Sequence, residues 1–274
     1  MSETELPPIA DVPQARTKTV RATDRIIHIK ELDIHSIRPR TGAADETGGK
    51  YIIIGKPGSG KSVLIKYIVY MKKHIFPVAN IVSGTEDSNK FFQECFPPVV
   101  IHDALSVELI QRFKKRQKLV AELIPENPWA LLINDDCMDD TQLFRKPIFQ
   151  DLFKNGRHWK MLYILGMQYA MDIPPALRTC IDGAFIFREP NLRNRKILYE
   201  NYAGVIPSFD MFCSILDQIT DDFTALFVDN RTTSNNFEEC IFWIKAEEIQ
   251  GFKFGCEDYW LFHKDRFDED YKKF

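Results

Sequence analysis

The chain has 274 residues, of which 45% are hydrophobic and 27% are charged, and its formal net charge is -3. This composition is typical of a globular protein with a large core, and the length suits one sizeable α/β domain with tails. The charge excludes a surface that is positive throughout. Any contact with nucleic acid must therefore come from a local basic strip, or from several subunits that place such strips around one strand.

The sequence carries no sign of a membrane span or an export signal. No apolar run approaches the ~18 residues that cross a bilayer, and residues 1–10 lack the basic and apolar regions of a signal peptide. Six scattered cysteines contain no Cys-x-x-Cys pair, which indicates small buried thiols in a reducing compartment. We therefore expect a soluble intracellular protein.

The first part of the chain, residues 1–45, predicts a basic arm that is partly disordered. Prolines come first, and a series of arginines and lysines follows between Arg16 and Arg40. The alternation of apolar and polar residues over 25–30 predicts one edge strand within this arm. The small, polar residues 41–50 predict a linker into the next strand.

From Tyr51 onward, apolar runs of strand length alternate with helical patterns. The predicted strands are 51–54, 79–83, 99–101, 129–134, 161–167, 183–187, 224–228 and 240–244. The predicted helices are 60–76, 106–123, 142–155, 192–202 and 209–218. Continuous apolar strands are typical of a parallel sheet buried on both sides. The fold class is therefore α/β, with a mainly parallel sheet covered by helices on both faces.

A phosphate-binding loop directly follows the strand at 51–54. The spacing Gly, four residues, Gly-Lys-Ser is met by Gly55, Lys56, Pro57, Gly58, Ser59, Gly60, Lys61 and Ser62. Glycines in such a loop let backbone N–H groups surround a phosphate at the N-terminus of the following helix. Lys61 can then reach the β- and γ-phosphate oxygens, and the Ser62 hydroxyl can hold Mg²⁺. The loop predicts a site for ATP and Mg²⁺.

Two carboxylates end the apolar strand at 129–134. Asp135 and Asp136 should lie at the carboxyl edge of the sheet beside the phosphate loop, where open α/β sheets bind ligands. We assign Asp135 to the metal and Asp136 to the water that attacks the γ-phosphate, because hydrolysis needs both roles. An acidic turn after a strand is the alternative interpretation.

Two further residues could serve the same reaction. Gln168 follows the strand at 161–167 and could bond to the γ-phosphate or the attacking water, although it could also be a surface strand end. Arg157 follows the helix at 142–155. It could reach a phosphate in its own site or in that of an adjacent subunit, or simply compensate the helix C-terminus.

The order of these elements resembles the FtsK/HerA class of DNA-pumping ATPases. Within that class, the resemblance is to the poxvirus-type genome-packaging ATPases of nucleocytoplasmic large DNA viruses. It is carried by the phosphate loop, by Leu-Leu-Ile-Asn-Asp-Asp at 131–136, by Asn-Gly-Arg-His at 155–158 and by the strand that ends in Gln168. It covers residues 51–202 and implies a P-loop NTPase fold of the additional-strand, RecA-like type.

The resemblance also implies roles and partners. Lys61, Asp136, Gln168 and Arg157 would be catalytic, with Gln168 as sensor and Arg157 as a finger acting on the neighbouring subunit. Arg193 or Arg195 could replace Arg157 in that role. The family implies a homo-oligomeric ring, a pentamer or hexamer, that threads double-stranded DNA into a capsid with the help of a capsid or portal protein. Its setting would be the viral factory in the host cytoplasm, or the virion.

These patterns divide the chain into the arm at 1–45, an ATPase core at 46–232 and a C-terminal extension at 233–274. Basic residues that could track DNA phosphates lie on the helix at 106–123, at Arg112, Lys114, Lys115, Arg116 and Lys118. A solvated helix surface explains the same run equally well. Two other functions stay open: a nucleotide or nucleoside kinase with an arginine-rich lid at 188–195, and a nucleotide-dependent scaffold without catalysis.

Overall fold

One mixed sheet organises the chain. The computed structural model describes residues 15–22, 25–40, 46–137 and 140–266. Within these ranges the strands are β1 (Thr17–Ala22), β2 (Arg25–Glu31), β3 (Gly49–Ile54), β4 (Val78–Ser83), β5 (Ile101–His102), β6 (Ala130–Asp135), β7 (Met161–Met167), β8 (Gly183–Ile186), β9 (Thr224–Asp229) and β10 (Ile241–Lys245). They form a 10-stranded sheet in the order β1-β2-β10-β9-β8-β3-β7-β6-β4-β5.

Helices cover both faces of this sheet. They are α1 (Lys61–Lys72), α2 (Glu86–Asn89), α3 (Val107–Leu123), α4 (Pro147–Asn155), α5 (Pro175–Arg178), α6 (Leu192–Tyr202), α7 (Phe209–Ile219) and α8 (Glu257–Arg266). Successive residues of β6 face opposite sides: Ala130 and Leu132 belong to the core cluster that includes residues of α3, α4 and α7, whereas Leu131 and Ile133 belong to the cluster that includes residues of α1 and α8. Both faces of the central strands are buried, which confirms the predicted α/β fold class.

Most strands run in one direction, so their carboxyl ends meet at a single edge. Within the described ranges β1 and β9 are the exceptions, each antiparallel to its neighbours, while β8, β3, β7, β6, β4 and β5 are mutually parallel. The pairing Ile54↔Met167 aligns the ends of β3 and β7, and Asp135↔Gly166 does the same for β6. The phosphate loop, the acidic pair and Gln168 therefore follow neighbouring strand ends.

Both ends of the described chain extend this sheet. The predicted arm contributes β1 and β2, and β2 pairs with β10 from the predicted C-terminal extension. Buried Lys72 of α1 ties the segment after β2 to the core, because its Nζ donates to the carbonyls of Ile37 and Pro39, both at 2.8 Å. The division at residues 45 and 232 stays a prediction, and residues 1–14, 23–24, 41–45 and 267–274 of its outer parts lie outside the described ranges.

Two predicted elements differ from the structure at prolines. The strand expected at 99–101 is mostly a 3-10 turn over Pro98–Val100, and only Ile101–His102 pairs with β4. The helix expected at 142–155 divides into a 3-10 turn at Thr141–Arg145 and α4, which begins at Pro147. Proline has no backbone N–H to donate, so it favours the first turn of a helix over its interior. In the described part of the chain, every helix is too short or too polar to cross a bilayer.

Candidate active site

The phosphate-binding loop connects β3 to α1 by a tight left-handed turn. The Gly55 N–H donates to the Met167 carbonyl at 3.2 Å, which fixes the start of the loop against β7. Gly58 and Gly60 have φ values of 74° and 100°, a region that residues with a Cβ rarely adopt. This backbone leaves Lys61 as the first residue of α1, with the helix N-terminus facing the loop. The local geometry is that of an anion site.

The acidic pair lies against this loop. The Ser62 hydroxyl donates to Asp135 Oδ2 at 2.7 Å. The Lys61 Nζ lies 3.4 Å from Asp136 Oδ1, and both side chains are largely buried. The structure thus brings together the four residues that the sequence predicts for phosphate, metal and water, although they are more than 70 positions apart in the chain.

Burial dominates the electrostatics of Asp135. Its side chain is 2% exposed, and loss of hydration, reinforced by the nearby Asp136 carboxylate, raises its pKa to about 6. The Ser62 hydrogen bond and the Lys61 charge oppose this rise. A buried carboxylate with so little compensation indicates that another cation belongs beside it.

Two buried oxygens indicate where that cation would bind. Oδ1 of Asp135 has no hydrogen-bond partner within the described chain, and Oδ1 of Asp136 has only the Lys61 ammonium, 3.4 Å away. Carboxylate and hydroxyl oxygens are the ligands that Mg²⁺ prefers. The residues present therefore fit a magnesium ion, with Ser62 and Asp135 as its protein ligands.

Gln168 lies at the same edge but borders a different cavity. It directly follows Met167, whose carbonyl accepts from Gly55. Its side chain lines a small cavity of about 120 Å³ together with Ile54 and Glu189. The backbone of Gln168 is thus next to the phosphate loop, whereas its side chain is not among those that line the cavity of Lys61.

Arg157 lies at the opposite end of the central strands, where β3 begins rather than where it ends. Its carbonyl accepts from the Gly48 N–H at 2.7 Å, immediately before β3 begins. The length of β3 therefore separates it from the phosphate loop, about 20 Å at ~3.3 Å per residue. An arginine side chain cannot cover that distance, so the interpretation that Arg157 serves its own nucleotide site is wrong. The interpretation that it serves a neighbouring subunit stays a prediction.

The two arginines of α6 differ in their surroundings. Arg195 is 7% exposed. Its guanidinium donates two hydrogen bonds to Asp217, at 2.8 and 2.5 Å, and one to the Glu189 carbonyl at 2.5 Å. Arg193 lies exposed in the first turn of α6. Because Arg195 is already bonded within its own chain, Arg193 is the better placed of the two to contact a neighbouring subunit.

The basic run of α3 is only partly available for DNA. Lys114 pairs with Asp151 of α4, and Arg116 bonds to Gln117 on the same helix. The remaining members are exposed, namely Arg112, Lys115 and Lys118. The solvated-surface and DNA-tracking interpretations of this helix both apply to these three.

Three residues around the site were not singled out from the sequence. A Cβ on Gly166 would lie 2.2 Å from Asp135 Oδ1, so only glycine leaves room for that carboxylate. The signal was present, since an isolated glycine in a strand marks close approach. Buried Glu86 accepts from the backbone of Phe92 and Gln93 and adds negative charge near Asp135. Phe223 borders the phosphate loop in a cavity of about 560 Å³ that also contains Lys61 and Asp136.

Comparison with known proteins assigns the chain to a family. The family model described as "Poxvirus A32 protein" matches residues 46–189. Protein 075L of Invertebrate iridescent virus 6 is 49% identical over 249 residues, which cover 89% of this chain and 96% of that protein. The chain belongs to the poxvirus A32 protein family. Protein 015R of Frog virus 3 is 37% identical to this family member over 241 residues, covering 86% of the chain and 74% of that protein.

Solved structures share the fold of this A32 family member. The genome packaging NTPase B204 of Sulfolobus turreted icosahedral virus 2, in complex with AMPPCP, superposes with a TM-score of 0.52 at 15% identity, covering 73% of this chain and 98% of B204. The pCW3 conjugation coupling protein TcpA with ATPγS gives a TM-score of 0.51 at 14% identity, covering 89% of this chain and 71% of TcpA. The predicted P-loop NTPase fold and the predicted family resemblance are both confirmed.

Proposed function

We propose that this A32 family member is an ATP-hydrolysing motor that moves double-stranded viral DNA into a capsid. The observation that carries the proposal is the convergence of Lys61, Ser62, Asp135 and Asp136 at one sheet edge. Membership of the A32 family supports the viral setting. The likeness in fold to a structure described as a genome packaging NTPase supports the packaging role.

In the proposed mechanism each residue of the site has one task. Lys61 binds the β- and γ-phosphate oxygens, and the N-terminus of α1 supplies backbone N–H groups to the phosphates. Ser62 and Asp135 would hold Mg²⁺, which neutralises charge that develops on the transferred phosphoryl group. Asp136 orients the attacking water and accepts its proton. Gln168 is the proposed sensor, bonding to the γ-phosphate or the water after its side chain turns towards the loop.

The Lys61–Asp136 ion pair suits a mechanism in which the bound substrate frees Asp136 to act as the base. At 3.4 Å, the ammonium holds the carboxylate beside the phosphate loop. A bound γ-phosphate would compete for Lys61, because phosphate is the stronger partner for that ammonium. Asp136 would then be left free to bond to water. The backbone of Asp136 has a positive φ of 47°, which ends the extended course of β6 at this residue.

The motor role implies assembly and partners. We propose a homo-oligomeric ring, a pentamer or hexamer, in which Arg157 of one subunit completes the site of the next. Exposed Arg112, Lys115 and Lys118 of α3 would contact DNA phosphates without reading bases. A capsid or portal protein is the proposed docking partner, in the virion or the viral factory.

The decisive experiment measures the rate of phosphate release with and without linear duplex DNA, at two salt concentrations, together with the mass of the assembly. We expect DNA to stimulate hydrolysis, and the stimulation to weaken at the higher salt because counterions compete for the phosphates. Lys61→Ala should abolish nucleotide binding or turnover, and Asp136→Asn should retain ATP without hydrolysing it. Lys196→Ala, which removes an exposed lysine of α6, is the matched control.

The competing functions give different results in the same assay. A kinase would release no free phosphate even when a nucleotide or nucleoside acceptor is added, because the γ-phosphoryl group moves to the acceptor and leaves ADP. Its lid would also lack Arg195, which is bonded to Asp217. A scaffold would bind ATP, and Asp136→Asn would leave its partner binding intact. A rate of hydrolysis that is changed neither by DNA nor by the Asp136→Asn substitution would contradict the proposed motor.

A further inference from the structure

The turn between α7 and β9 has an unusual backbone for its sequence. The Thr224 N–H donates to the Asp221 carbonyl at 3.0 Å. The two residues between them, Asp222 and Phe223, have φ values of 49° and 57°. This is the φ pattern of a type I′ turn, in which glycine, asparagine and aspartate predominate. Phenylalanine in the left-handed region is disfavoured, because its Cβ crowds the backbone.

Burial does not compensate for this strain. The Phe223 side chain is 64% exposed, whereas most phenylalanines of the described chain lie in its core. An exposed aromatic ring in a strained backbone conformation contributes little to the free energy of folding. Such strain persists where it places a side chain for another purpose.

The turn holds the ring beside the phosphate loop. Lys245 at the end of β10 pairs with Asp222, which anchors the turn from the neighbouring strand. A Cβ added to Gly60 would lie 3.5 Å from Cδ1 of Phe223, so the ring lies directly beside the loop. The cavity of about 560 Å³ that the ring borders also contains Lys61, Ser62 and Val63.

We infer that Phe223 is the platform on which the nucleobase of the bound triphosphate stacks. The inference rests on the proposed nucleotide site. Val63 and Phe223 line the same cavity as Lys61 and Ser62, so the nucleoside of a triphosphate held by that pair would have room within it. The cavity volume lies within the usual range for such ligands, and an exposed aromatic face is a general receptor for a base.

Stacking also predicts the specificity of the site. Every base offers a π-face, so the ring selects for a nucleobase without fixing which base is bound. Inorganic tripolyphosphate fills the loop but cannot stack. The contribution of Phe223 should therefore appear in the affinity for ATP and be missing from the affinity for tripolyphosphate.

The test compares Phe223→Gly and Phe223→Tyr with the wild type, using calorimetric titration with ATP and with tripolyphosphate in the presence of Mg²⁺. We expect Phe223→Gly to weaken ATP binding by about tenfold and to leave tripolyphosphate binding unchanged. Phe223→Tyr should retain the affinity for ATP. Because glycine suits the turn, Phe223→Gly should also raise the Tm by about 2 °C. Phe262→Ala, which removes an exposed ring of α8, is the control.

Several outcomes would overturn the inference. They are an unchanged affinity of Phe223→Gly for ATP, an equal loss for both ligands, and a smaller assembly mass with ATP binding intact, which would make the ring a subunit contact. Failure of the proposed function is distinguishable. A wild type that binds ATP through Phe223 but never hydrolyses it would overturn the motor and leave the stacking platform in place.

Discussion

The charge of ionised Asp135 lowers the free energy of unfolding, because its carboxylate is buried. Burial raises its pKa from 3.8 to about 6, so the folded protein holds a proton that the unfolded chain releases between those values. The free energy of unfolding therefore falls as the pH rises through this window. Above pH 6 the folded state retains an ionised, buried carboxylate with one unpaired oxygen. A cation bound beside this carboxylate would offset that loss of stability.

Asp135→Asn removes the charge and keeps the shape. We expect the free energy of unfolding to rise by about 2–3 kcal/mol at neutral pH, with a difference from wild type that shrinks as the pH falls towards 4. Urea unfolding in metal-free buffer across this pH range measures both. Asp87→Asn, at an exposed position of α2, should show no such trend. Equal stability of wild type and Asp135→Asn at neutral pH would contradict the assigned cost.

The residues of the candidate phosphate and metal site could be proposed from two separate local patterns. The glycine loop identifies Lys61 and Ser62 within eight positions, and Asp135 and Asp136 directly follow an apolar strand. Because parallel strands end at the same side of a sheet, the two patterns were expected to meet. Phe223 could not be predicted in the same way. Its importance lies in a backbone conformation and in the antiparallel course of β9, and neither leaves a pattern in the neighbouring residues.

Among the secondary-structure elements, α6 and α7 are joined by a charged contact. Arg195 of α6 and Asp217 of α7 share two parallel hydrogen bonds, and Arg195 also bonds to the Glu189 carbonyl before α6 begins. Glu189 in turn pairs with Lys56 of the phosphate loop at 2.9 Å. The planar guanidinium therefore connects two helices to the edge of the nucleotide site.

Arg195→Lys should weaken this junction without removing the charge. An ammonium cannot form the two parallel bonds, so we expect the free energy of unfolding to fall by about 1–3 kcal/mol. Hydrolysis per folded molecule should be retained. Arg193→Lys, two positions away and exposed, provides the matched control for stability. Lost hydrolysis with unchanged stability in Arg195→Lys would instead assign this arginine to the reaction.

The elements of the core could be predicted closely because buried parallel strands are continuous apolar runs. The expected strand at 161–167 coincides with β7, and the expected helix at 192–202 coincides with α6. The sequence was less informative at the ends of the chain. β1 carries alternating polar residues on an exposed edge, and α8 buries little besides Tyr259, so neither has a strong hydrophobic period.

In the whole molecule, the proposed nucleotide site and the proposed arginine finger lie at opposite ends of the parallel strands. The carboxyl ends of the parallel strands present the phosphate loop, Asp135 and Gln168, while the opposite edge presents Arg157. A single subunit cannot bring the two edges together. Head-to-tail packing in the proposed ring would do so, because each contact joins one surface of a subunit to a different surface of the next.

This geometry makes a specific prediction for mixed assemblies. Arg157→Ala and Asp136→Asn should each lose hydrolysis, since an arginine finger supplies ~10³–10⁵ in rate and the base is equally required. In an equal mixture, about a quarter of the interfaces of a randomly assembled ring join an intact Asp136 site to an intact Arg157. We therefore expect mixing to restore up to about a quarter of the wild-type rate per subunit.

The control replaces the Asp136→Asn partner with a chain that carries both substitutions. Every interface then lacks one of the two groups, so the recovered hydrolysis should vanish while the assembly is unchanged. Native mass spectrometry of subunits with different masses verifies that both kinds enter the same ring. If mixed rings form and no hydrolysis returns, Arg157 does not act across the interface, and the exposed Arg193 becomes the residue to test in the same design.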